Sequence, residues 1–137
     1  MEQKIIKAIK YAFVGQTGEK PHLTKGEKTA LEVRSFLLNS LEETMSVQSI
    51  VVQFKTSQKT LQNSFKSLFG ITPKRFMRTL KLNKAHEDLQ HVDALTTNVS
   101  DIAIKWGFCN FGRFSKDYKA LFDVLPSETL NLNQTSL

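Results

Sequence analysis

Residues 99–126, VSDIAIKWGFCNFGRFSKDYKALFDVLP, constrain this chain more than any other stretch, because they spell two short helices separated by a tight turn. Asn98 is placed to cap the first helix, with Asp101 reaching back to the free backbone N–H groups. Ile102, Ala103 and Trp106 then share one face, and Gly107 supplies a residue that tolerates positive φ. Asn110 starts the second helix, on which Phe111, Phe114, Tyr118 and Leu121 form an apolar stripe while Arg113, Lys116 and Lys119 share another side. A short helix, a turn and an amphipathic helix with a basic outer face make a helix-turn-helix pattern.

A less regular copy precedes it. Ser46 caps a helix running through Ile50 and Val51 to Phe54; Lys55-Thr56 follow, and Ser57 is a second cap. The next helix carries Leu61, Phe65 and Leu68 on its buried side, with Gln58, Lys59, Gln62, Asn63 and Lys66 on the others, and Gly70 closes it. Between the copies, Thr72-Pro73 starts a long helix with two apolar faces, one of Phe76, Met77 and Leu80, the other of Leu82, Ala85 and Leu89. Such a helix is expected to be buried between two bodies, one on each side of it in sequence.

The amino-terminal third is plainer. Residues 1–14 place Ile5, Ile9, Ala12 and Phe13 on one helical face, a pattern better suited to packing on a body or a further domain than to a membrane surface. Gly15, Gly18, Pro21 and Gly26 mark a loop. From about residue 26 to 43 the chain turns helical again through Ala30, Val33 or Arg34, Leu37 and Leu41, with Phe36 and Leu38 widening the arc. The expectation is an all-α chain of about seven or eight helices: an amino-terminal helix and linker over 1–25, one helix-turn-helix subdomain over 26–72, a connecting helix over 73–92 and a second subdomain over 93–137.

Charge and reactive residues narrow the chemistry. The net charge is +6, and residues 46–137 hold twelve basic and seven acidic residues, which suits a polyanionic partner. A single cysteine, Cys109, excludes an internal disulfide and a cysteine-based zinc site, and reads as a partly buried thiol in a reducing cytoplasm. His22, His86 and His91 are scattered, so no metal site is expected. Glu42-Glu43 and Glu87-Asp88 read as solvated surface. No catalytic constellation and no phosphate-cradling glycine loop is present in the sequence, so neither an enzyme nor a cofactor is expected.

Ile102-Ala103, Gly107-Phe108, Phe114, Tyr118-Lys119, Phe122 and Pro126, with the upstream Ser57 to Gly70 spacing, resemble the carboxy-terminal signature of AraC/XylS-type transcription regulators. The likeness covers roughly three quarters of the chain. It implies two homeodomain-like three-helix units that bind double-stranded DNA through recognition helices entering successive major-groove turns, about 34 Å apart. Carried over to this sequence, base edges fall to Lys59, Gln62 and Asn63 in the first unit and to Phe111, Gly112, Arg113 and Lys116 in the second. Ser57, Gln58, Lys66, Asn110 and Lys119 are expected on phosphates.

Four departures from the family pattern stand out. Val51 replaces a small residue at the helix crossing and Lys55 replaces the turn glycine, which predicts a slightly splayed first reader; Asn63 replaces a frequent arginine and Asp123 a frequent glycine. Val51, Lys55 and Asn63 motivate an alternative: a protein-interaction module whose degenerate helix-turn-helix body docks on RNA polymerase or another regulator. Under the resemblance the protein is a bacterial cytoplasmic transcription factor, an activator by family habit. The separate effector and dimerisation domain common in the family is not expected within residues 1–25.

Overall fold

The computed structural model describes residues 22–135. They form seven α-helices, with no strand among the described residues: α1 (Lys25–Ser40), α2 (Val47–Gln53), α3 (Gln58–Phe69), α4 (Pro73–His91), α5 (Val99–Lys105), α6 (Phe111–Phe122) and α7 (Pro126–Thr135). The helix expected over residues 1–14 lies outside the described residues. The chain divides between Leu80 and Lys81 into two compact units, so α4 begins in one and ends in the other.

In the first unit, Thr24 caps α1 and Glu27 answers it in a capping box. Glu27 also accepts a hydrogen bond from Ser67 Oγ at 3.2 Å, which ties the start of α1 to α3. Beside it the helices fit closely: a Cβ on Gly26 would lie 2.6 Å from Ser64 Oγ and 3.0 Å from Thr60 Cγ2, so a larger residue there would have to push these α3 side chains aside. The core gathers Ala30, Val33, Leu37, Ile50, Leu61, Phe65, Leu68 and Phe69 with Phe76, Met77 and Leu80 from the start of α4. Each fully buried large side chain contributes roughly 1.5–3 kcal/mol, against at most about 1 kcal/mol for an exposed ion pair, so this core holds the unit. Both Val33 and Arg34 turn inward, the Arg34 guanidinium resting 5.5 Å above the Phe69 ring. α1 stops at Ser40 rather than near Glu43, because Leu41 swings to extended backbone and the chain turns to bury Met45. Leu38 is exposed.

The second unit is built on the other half of α4. Leu82, Ala85 and Leu89 are buried, as are Ile102, Ala103, Trp106, Phe108, Phe114, Tyr118, Phe122 and Leu130. The α6 stripe differs from the expected one. Phe122, not Leu121, completes it, and Phe111 is exposed, because burial follows the i, i+4, i+8 row Phe114, Tyr118, Phe122. His86 is a core residue: its ring stacks on Phe122 at 4.2 Å, and its Nδ1 lies 2.7 Å from the Tyr118 hydroxyl. That hydroxyl donates to Thr129 Oγ1 at 2.8 Å, so α4, α6 and α7 share one polar chain. Asp88 is no solvated surface residue. Its Oδ2 accepts from Trp106 Nε1 at 2.8 Å and Lys105 Nζ at 3.0 Å, which pins α5 to α4. Leu132 is exposed because it lies two residues from the buried Leu130 and so on another side of α7.

The two helix-turn-helix motifs close alike. α2 and α5 each have seven residues and a capping box, from Ser46–Ser49 and Asn98–Asp101. Beyond them Lys55 and Gly107 hold φ of +53° and +84°. Lys55 N donates to Val52 O at 3.3 Å and Thr56 N to Val51 O at 3.1 Å; Gly107 N donates to Ile104 O and Phe108 N to Ala103 O, both at 2.9 Å. This is the Schellman pattern in both places, so the missing glycine strains the first turn without removing it.

Candidate nucleic-acid interface

The capped amphipathic helices α3 and α6 both have twelve residues. Ser57 Oγ accepts from Thr60 N at 3.1 Å and Asn110 Oδ1 from Arg113 N at 2.9 Å. Those side chains are therefore occupied in capping, and a phosphate at either helix start meets the remaining first-turn amides. Each helix ends in a left-handed residue, Gly70 at φ +75° and Asp123 at φ +66°. Asp is among the few side chains that adopt this conformation readily, which explains why the family's glycine is dispensable there.

On α3, Gln58, Lys59, Gln62, Asn63 and Lys66 are all exposed, opposite the buried Leu61, Phe65 and Leu68. Lys59, Gln62, Asn63 and Lys66 follow one stripe at helical spacing. Lys66 lies in the last turn, well along from the capped end. All of them have donors or acceptors able to reach base edges or phosphate oxygens.

On α6, Phe111, Gly112, Arg113, Lys116 and Lys119 are exposed. Phe111 is 45% exposed even though its ring centroid lies 6.3 Å from that of Phe114, so an apolar edge is free to meet a thymine methyl. A Cβ on Gly112 would meet only Asn110 Oδ1, at an ordinary 3.6 Å. Neither fold nor backbone conformation requires glycine there, so its consequence is a smooth surface at the helix start. Arg113 Nε lies 3.8 Å from Asp117 Oδ2, one turn on, which restrains the guanidinium and offsets part of the local charge.

Matching the motifs cap to cap sets Lys59 against Gly112, Thr60 against Arg113, Gln62 against Ser115 and Asn63 against Lys116. Thr60, exposed, and Ser115, half-exposed, were absent from the residues picked by resemblance. The signal was present in the equal spacing of Ser57 to Gly70 and Asn110 to Asp123. Cys109 is exposed, contrary to expectation, because the second turn is one residue longer and buries Phe108 instead.

Among the described residues no group of three His, Cys, Asp or Glu is placed to hold a metal ion. No helix among them is long and apolar enough to cross a membrane.

A family model described as a helix-turn-helix domain matches residues 50–131. The chain is 35% identical over 89 residues to a probable thc operon regulatory protein of Rhodococcus erythropolis, covering 65% of this chain and 27% of that one. It is 29% identical over 118 residues to the XylDLEGF operon transcriptional activator of Pseudomonas putida, covering 86% and 37%. It is also 32% identical over 97 residues to the HTH-type transcriptional activator RhaS of Citrobacter koseri, covering 71% and 34%. The chain thus spans between about a quarter and two fifths of the length of these relatives. No solved structure matches it significantly.

Proposed function

Because the chain belongs to the AraC/XylS family of DNA-binding transcription regulators, we propose that it binds double-stranded DNA sequence-specifically by inserting α3 and α6 into successive major-groove turns. The single observation that carries this reading is the pair of like-built motifs, each presenting an exposed polar face on a helix of equal length, capped at its start and turned left-handed at its end. In the first reader Lys59, Gln62 and Asn63 address base edges, with Thr60 added by register. In the second they are addressed by Phe111, the bare backbone at Gly112, Arg113 and Lys116. Ser57, Gln58, Lys66, Asn110 and Lys119 serve phosphates, the two caps through the helix-start amides they order.

The domain reading is two reader subdomains, 26–72 and 93–137, joined by α4. Two relatives are named transcriptional activators. By that analogy we assign this chain the role of an activator; a cytoplasmic location and a contact with RNA polymerase are proposed with it from the DNA-binding reading. The Schellman turn retained at Lys55 removes the main reason for the rival reading as a degenerate docking module.

Anisotropy titration against duplexes tests the proposal. Specific sites are expected to bind at least about 10³-fold tighter than random sequence, with affinity falling steeply in salt. Binding without sequence preference would overturn it.

A further inference from the structure

Residues 44–86 contain eight Lys or Arg and no Asp or Glu, whereas residues 87–137 contain four Lys or Arg and seven Asp or Glu. The positive charge of the chain is therefore lodged in one segment, and the unit bearing the family signature is poor in it. Within the acid-free segment, Lys55, Lys59, Lys66, Lys74 and Arg75 are exposed. Two of them, Lys74 and Arg75, open α4 just past the end of α3. α3 ends with Lys66 in its last turn, Gly70 reverses the chain at φ +75°, and Pro73 opens α4. Thr72 Oγ1 accepts from Arg75 N at 3.1 Å, which orders the first turn of α4. Phe76 and Met77, buried in the core of the first unit, fasten that turn and leave Lys74 and Arg75 outward. No base-reading role falls to these two residues, and no carboxylate in the segment opposes them.

We propose that the start of α4, through Lys74 and Arg75, is the principal DNA-backbone anchor of the chain, separate from the faces that read bases. It rests on the DNA-binding function above and divides the labour within it. The first unit supplies the sequence-independent, salt-sensitive affinity by displacing counterions from phosphates, and α6 adds discrimination from a segment, residues 87–137, in which acids outnumber bases. The occupant is nucleic-acid phosphate rather than an acidic protein, since two cations on a DNA-binding unit with no acid for 43 residues match a polyanion of fixed charge spacing.

The test uses the whole chain, a selected duplex and a random-sequence duplex, with anisotropy read between about 50 and 200 mM salt. Replacing both residues, K74Q/R75Q, is expected to flatten the slope of log affinity against log salt by about 1.8, so the wild-type advantage shrinks about 12-fold across that range. Both duplexes should be affected alike, and K74R/R75K should restore the slope. Circular dichroism checks the fold, and the single variants K74Q and R75Q, each flattening the slope by about 0.9, keep the test open if the double variant unfolds. An unchanged slope in folded variants overturns the anchor while leaving DNA binding intact, as does a loss confined to one sequence or to a protein partner. Failure of the wild-type chain to bind either duplex overturns the DNA-binding reading itself, and the anchor with it.

Discussion

Lys55 and Gly107 occupy the same left-handed backbone position, each one residue past the cap of the first helix of its reader. A glycine rests there without cost, whereas a lysine is held there by two Schellman hydrogen bonds and the packing of α2 against the first core. The first reader thus spends stability to place a cation at the turn before α3.

Lys55→Gly is accordingly expected to stabilise the first unit by about 1 kcal/mol, the strain released exceeding the added entropy of the unfolded chain. Urea unfolding followed by circular dichroism reads this directly. DNA affinity should fall at the same time, because the turn loses its charge. A variant less stable than wild type would show that the lysine side chain is itself a packing element.

Gly26→Ala is expected to destabilise the first unit by about 1–3 kcal/mol despite alanine's better helix propensity, since the new Cβ would lie 2.6 Å from Ser64 Oγ. The Ser64→Ala change should recover part of the loss by removing that oxygen; the approach to Thr60 Cγ2 at 3.0 Å remains. Equal stabilities for G26A and G26A/S64A would place the clash elsewhere.

Trp106 is the only tryptophan, so its emission reports on Asp88. Asp88→Ala leaves the indole N–H without its acceptor and should cost about 1–3 kcal/mol, with the emission shifting to the red. Asp88→Asn keeps a carbonyl oxygen for the indole and should hold the emission near that of wild type. Identical spectra in all three proteins would contradict the tie between α4 and α5.

Burial pushes the Tyr118 hydroxyl up from 10.0 to about 12, against the opposing effect of its hydrogen bond to Thr129. The unfolded chain releases this proton near pH 10 while the folded chain keeps it. The stabilisation is therefore complete below pH 10 and is lost as pH rises toward 12. Tyr118→Phe should be less stable than wild type at pH 9, where His86 and Thr129 lose their shared partner, and the gap should narrow steadily above pH 10. A gap independent of pH would mean the hydroxyl titrates normally in the folded protein.

Much of this fold was legible because its boundaries are set by neighbours in sequence. The caps at Ser46, Ser57, Asn98 and Asn110, the stop at Gly70 and the start at Thr72-Pro73 all depend on residues within one turn of themselves. What escaped depends on partners distant in the chain. Asp88 reads as surface until Trp106 folds against it, and His86 reads as incidental until Phe122 and Tyr118 close around it. The cap at Thr24 is also local, a capping box with Glu27, and was obscured by the glycine- and proline-rich run around it.

In the interface, the exposed faces of α3 and α6 follow from periodicity, but the register between the readers was obscured by the extra residue at Phe108-Cys109. The charge asymmetry lies in the sequence itself, with eight Lys or Arg and no acid over residues 44–86.

Selection of bound sites from a random duplex pool tests the central claim most directly. If α3 and α6 read one duplex together, the enriched sites will contain two blocks with centres about 10–10.5 base pairs apart, one for each reader. Sites with a single block, or a pool left unenriched, would contradict the two-reader account.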